Sequence, residues 1–90
     1  MTKPTPSHIE CCYITRVCKM EHDGAEKTFL VSYNWLLHMI IFTCRDDVQI
    51  QGEFKLSRPF ASREPADFLL INEVSNYLDH TPAEREIHYA

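Results

Sequence analysis

The stretch CYITRVCKMEHDGAEKTFLVSYNW, Cys12 to Trp35, decides the fold. Asp23-Gly24 stands at its centre and suits a two-residue type I′ turn, which needs a positive φ at both positions. With that turn, directly opposed residues have positions that sum to 47. One hairpin face then carries Cys12, Ile14, Arg16, Cys18 and Met20 opposite Trp35, Tyr33, Val31, Phe29 and Lys27, apolar but for Arg16 and the tip lysine. The other carries Tyr13, Thr15, Val17, Lys19 and Glu21 opposite Asn34, Ser32, Leu30, Thr28 and Glu26. A slip of one residue would exchange these faces and send the apolar row to water, so burial and turn chemistry select the same register.

Working outward, His8 to Glu21 reads as the first strand and Glu26 to Tyr33 as the second, both rich in β-branched and aromatic residues. Asn34 to Asp47 is apolar nearly throughout, and periodicity alone does not separate a buried strand from a buried helix there. Asn34 is a suitable helix cap, but Ile40, Ile41, Phe42, Thr43 and Cys44 in succession are mediocre helix formers. A strand over 38–44 after a bend at Asn34 is the reading adopted; a helix at 35–45, giving a ββαβα order, is the alternative. Arg45-Asp46-Asp47 is a polar turn. Val48, Ile50, Gly52, Phe54 and Leu56 then alternate with polar residues, as a half-buried strand over 48–56 requires. Gly52 on its inward face allows a bulge or the close approach of another element.

Pro59 and Pro65 bracket a loop, and Pro65 suits the first turn of a helix capped by Ser62 or Glu64. Phe68, Leu70, Ile71, Val74, Tyr77 and Leu78 recur at helical spacing and predict a helix over 65–79 with one apolar stripe. Thr81-Pro82-Ala83-Glu84 has the form of a capping box, so 81–90 is a short capped helix or tail. The fold class is therefore α+β: an antiparallel sheet of about four strands covered by a C-terminal helix, in a single domain over residues 1–90. Residues 1–7, with two prolines and no large apolar group, are expected to be a mobile lead-in.

Composition narrows the function classes. At 90 residues and 44% hydrophobic, the chain has room for one thin core, burying about 60 to 65% of its unfolded surface. No apolar run reaches the length of a membrane helix, and Met1 to Ser7 lacks the apolar segment of a secretory signal, so a cytoplasmic location without membrane contact is expected. The four cysteines are then expected as reduced thiols. The formal charge of −4 lies entirely in the last third, where Glu64, Asp67, Glu73, Asp79, Glu84 and Glu86 face only Arg63 and Arg85. An acidic end repels phosphate backbones and suits a basic protein surface.

Two chemistries compete with this reading. His8, Cys11, Cys12, Cys18 and His22 fall close together. On a strand, however, Cys11 and Cys12 point to opposite faces, and Cys12 and Cys18 stand about 20 Å apart at ~3.3 Å per residue. For nucleophilic catalysis, a cysteine with His22, His38 or His80 supplies residue types but no nucleophile elbow or glycine loop. The sequence assigns no catalytic residue, no metal ligand and no cofactor. His38, in an apolar run, reads as a core histidine with a satisfied ring nitrogen. Arg16 reads as an edge residue reaching water or a carboxylate, or as a seam where a partner supplies that carboxylate.

Tyr13, Val17 and Leu30 form an apolar island on the wetter hairpin face, ringed by polar groups as protein interfaces are. Together with Arg16 and the acidic Glu73, Asp79 and Glu84 they are the candidate partner-binding residues. The function expected is a non-enzymatic protein-binding module, an adaptor or inhibitor engaging a partner with basic surface. In size and charge it is analogous to small acidic inhibitors of nucleic-acid-processing machinery, including those made by phages. A nucleic-acid binder using Arg16, Lys19, Lys27, Arg45, Lys55 and Arg58, and a small Cys/His-dependent enzyme, are the alternatives. Two free sheet edges also allow pairing into a homodimer.

Overall fold

The computed structural model describes residues 12–89; the expected lead-in at 1–7 and the readings made for His8 and Cys11 lie outside them. A four-stranded antiparallel sheet in the order β1-β2-β3-β4 is built from β1 (Tyr13–His22), β2 (Ala25–Asn34), β3 (Met39–Cys44) and β4 (Gln51–Lys55). Two helices follow, α1 (Asp67–Asp79) and α2 (Pro82–His88). The fold is α+β, as the residue pattern requires.

The hairpin turns at Asp23 (φ +54°) and Gly24 (φ +80°), and Ile14 pairs with Tyr33, Arg16 with Val31 and Cys18 with Phe29. The expected register holds along the whole ladder. Its inner face, with Val31, Phe29, Ile40, Phe42 and Phe54 from the central and last strands, is buried against Leu70 and Val74 of α1. Each such side chain contributes about 1.5–3 kcal/mol by leaving water. Cys12, Cys18 and Cys44 are buried as unpaired thiols. At Gly52 an added β-carbon would stand 3.1 Å from ring atoms of both Phe42 and Tyr77, so α1 comes close to the sheet where that residue has no side chain.

The segment after β2 carries both a helix signal and a strand signal. Asn34 Oδ1 accepts hydrogen bonds from the backbone N–H groups of Leu36 and Leu37, both 2.9 Å, as a helix cap does. One turn forms over 35–38 and stops at His38, whose φ is +57°, and β3 starts at Met39. The strand expected near 38–44 is formed, starting one residue later, and the alternative helix at 35–45 is not. His38 is a half-buried turn residue rather than a core strand histidine, and its ring has no hydrogen-bond partner among the described residues.

Two boundaries and the burial of one residue differ from the sequence reading. Val48 and Gln49 belong to a turn, because Asp47 Oδ1 accepts from Gln49 N (3.0 Å) and Asp47 O from Ile50 N (3.0 Å). Val48 is therefore 81% exposed, and the inward alternation holds only from Ile50 to Leu56. Helix α1 begins two residues beyond Pro65, with Ala66 at the cap position and no side-chain cap; Ser62 Oγ instead accepts from Glu64 N. Phe68, expected on the buried stripe, is 62% exposed in the first turn. Helix α2 carries the expected capping box in full, with Thr81 Oγ1 accepting from Glu84 N and Glu84 Oε1 accepting from Thr81 N.

Helix α2 is tied down by contacts between residues distant in sequence. Arg85 Nε donates to Tyr77 O (2.9 Å) and its guanidinium also lies over the Tyr77 ring. Tyr89 stands edge-on to Phe54 and Tyr77, which are themselves stacked at 4.6 Å. These contacts satisfy the last carbonyls of α1 and extend the core beyond the sheet.

Candidate contact surfaces

Because α1 covers one face of the sheet, the alternate residues of the same strands form an outer layer with no element on it among those described. At its centre Val17 and Leu30 are directly opposed across β1 and β2 and remain 56% and 47% exposed. With Phe29, Thr28, Thr43 and Arg45 they line a shallow recess of about 210 Å³. Half-buried Ile41 lies opposite Ser32, and Met39 opposite Asn34. Tyr13, at the far end, is half-buried. Lys19, Thr28, Thr43 and Arg45 surround the apolar centre, and the Thr15 and Ser32 hydroxyls bond across the strands at 3.0 Å. Apolar centre and polar rim are the anatomy of a protein interface.

Arg16 belongs to the inner layer. Its guanidinium meets Asp67 Oδ1 at 2.7 Å and the Pro65 carbonyl at 3.2 Å, so the carboxylate beside it comes from α1 of the same chain. The pair is partly exposed, which limits its contribution to about 0.2–1 kcal/mol, but it fastens the start of α1 to β1. Burial pushes the neighbouring Cys18 thiol up and Asp67 adds to this, which leaves it protonated at neutral pH.

The acidic candidates lie in the helical layer, on the opposite side from the apolar island, so one flat partner cannot touch both. They also differ from one another. Asp79 is exposed and makes no ion pair among the described residues. Glu84 is committed to the capping box, whose hydrogen bonds, those from Thr81 foremost, hold its carboxyl below the usual range. Glu73 is half-buried in a cleft, and burial raises its carboxyl above the usual range.

The basic residues are dispersed. Arg16 is paired inward, and Lys27 is on the inner face near the hairpin tip. Lys19 lies in the row of Thr28 and Lys55 in the row of Asn34, about 20 Å apart along the strands at ~3.3 Å per residue. Among the described residues no group of three or more His, Cys, Asp and Glu is placed to hold a metal ion, and no helix is long and apolar enough to cross a membrane. Compared with protein-family models, with curated proteins and, through its structure, with solved structures, the chain matches nothing.

Proposed function

We propose that the chain is a non-enzymatic protein-binding module, an adaptor or inhibitor acting in the cytoplasm, that lays the outer face of its sheet on a partner protein. One observation carries this reading: Val17 and Leu30, paired at the centre of a layer with no described element on it, stay about half exposed although Cys18, Phe29 and Val31 beside them are core. Scattered apolar surface needs no explanation, but a directly opposed pair continued by Tyr13, Ile41 and Met39 forms a patch. The exposed carboxylates of the helical layer, Asp79 and Glu86 with the capped Glu84, offer a second surface on which a partner with basic groups docks. Arg16 acts through α1, holding the helix in place, rather than by direct contact. A second copy of the chain is one such partner, through the edge of β1 or β4 that no other described strand pairs with.

The test is tagged capture from nuclease-treated native lysate, comparing the wild type with Val17→Thr/Leu30→Thr and with charge reversal at Glu73, Asp79 and Glu84. A protein retained by the wild type and lost by the double threonine variant supports the sheet-face reading. Retention unchanged by that variant but abolished by charge reversal moves the contact to the helical layer. Capture that depends on nucleic acid, or no specific protein at all, overturns the proposal.

A further inference from the structure

The molecule has a further concavity besides the recess on the outer sheet face. It lies where β4 ends and the two helices meet, a cleft of about 560 Å³. Its walls come from three segments distant in sequence: Lys55 and Arg58 from β4 and the loop beyond it, Glu73 and Asn76 from α1, and His80, His88 and Tyr89 from the end of α1 and from α2. The volume is within the range of small-molecule sites, about 300–1,000 Å³, but those are mostly apolar and this lining is mostly polar.

Lys55, Arg58 and Glu73 form no ion pair among the described residues, although all three border one cleft. Glu73 is the informative one, because it is half-buried and its burial disfavours the charged form; a hydrogen-bond donor placed against it would offset that penalty. His80 adds a second acceptor. Its Nδ1 lies 2.7 Å from the Asn76 carbonyl, which accepts the ring N–H and leaves Nε2 as the lone-pair nitrogen of the neutral ring. The His88 ring stands beside it at 4.8 Å, and Tyr89 is held by a hydrogen bond from Asn76 Nδ2 to its hydroxyl.

The cleft is therefore bordered by two cations, Lys55 and Arg58, and by two acceptors, the Glu73 carboxylate and an imidazole nitrogen of His80. We propose that it binds a phosphorylated sugar, free or as the ribose phosphate of a nucleotide, with the phosphate on Lys55 and Arg58 and hydroxyl groups donating to Glu73 and His80. Guanidinium and ammonium groups match phosphate oxygens, and a polyol supplies the donors that the half-buried carboxylate lacks. The cleft is removed from Val17 and Leu30 at the centre of the protein-binding face, but it borders both proposed contact surfaces: Lys55 pairs with Met39 at the end of the apolar patch, and Glu73 belongs to the helical layer.

The experiment follows the His80 and His88 ring resonances by NMR while the full chain is titrated with ribose 5-phosphate, adenosine 5′-monophosphate or ribose, each in the millimolar range. Saturable shifts with both phosphorylated probes and none with ribose are expected. Saturation with the nucleotide alone also supports the site and identifies the nucleotide as the source of the phosphate. Lys55 and Arg58 are exposed, so Lys55→Ala/Arg58→Ala should stay folded and bind at least about tenfold more weakly, the loss of one charge-assisted contact or more. Arg58→Lys, which keeps the charge, should retain most of the affinity. Equal binding of ribose, no saturable shift with any probe, or affinity indifferent to the double alanine variant would overturn the proposal.

Discussion

On β2, Phe29, Val31 and Tyr33 are almost wholly buried, while Leu30, between two of them, is 47% exposed. On β1 the same holds for Cys18, which is buried, and Val17 beside it, which is 56% exposed. The two faces of the sheet use the same strands, yet one is closed by α1 and the other has no described element on it although it keeps apolar residues among its polar ones. The difference teaches that one face supplies the core this small domain needs. The described fold does not account for the apolar residues of the other face, which the proposed function assigns to a partner.

Mutations should respond to this asymmetry. Phe42→Ala, at the centre of the closed face and in contact with Phe29, Phe54 and Tyr77, is expected to cost about 3–5 kcal/mol, much of the total stability of a domain this size. Urea denaturation measures it, and a loss under about 1 kcal/mol would mean the closed face is loosely packed. Gly52→Ala forces a β-carbon against the Phe42 and Tyr77 rings and is expected to cost about 1–3 kcal/mol, seen as a lowered urea midpoint. Gly24→Ala meets nothing in space but must keep φ at +80°, for about 1–2 kcal/mol in the same assay.

The helical layer adds a pH test with two opposite signs. Burial raises the Glu73 carboxyl in the fold, so its contribution is present while it is protonated, below its ordinary value. That contribution is lost as pH rises through the interval up to the raised value. Glu73→Gln should therefore raise the melting temperature at neutral pH, and by less in acid. The Glu84 carboxyl is lowered by the Thr81 hydrogen bonds, so its contribution is present above its ordinary value and lost as pH falls through the lowered one. Glu84→Gln should thus reduce the melting temperature at neutral pH and leave it nearly unchanged in acid. If both variants moved the melting curve the same way at neutral pH, the two environments would not differ as described.

The hairpin was legible in the sequence because two independent local signals, a turn dipeptide and a period-two pattern, agree on one register. The β3–β4 connection was not, because Val48 continues the alternation while the Asp47 side chain captures the Gln49 N–H, and a short hydrogen bond outweighs one apolar residue. Asn34 sent a true helix signal, since its side chain makes the cap bonds, and the left-handed backbone of His38 ended the turn after four residues, 35–38. The apolar island could be read because it follows from register alone. The pairing of Arg16 with Asp67, the anchoring of α2 by Arg85 and the cleft around Glu73 could not, because each joins segments that only the tertiary fold brings together.

The most direct measurement is the unfolding free energy of Val17→Thr/Leu30→Thr, which keeps β-branched or strand-compatible side chains while removing the apolar patch. If the outer face is free of the fold, the double variant should match the wild type within about 0.5 kcal/mol. A loss above about 2 kcal/mol would show that these residues serve the core, and the open face would no longer be available as the contact surface.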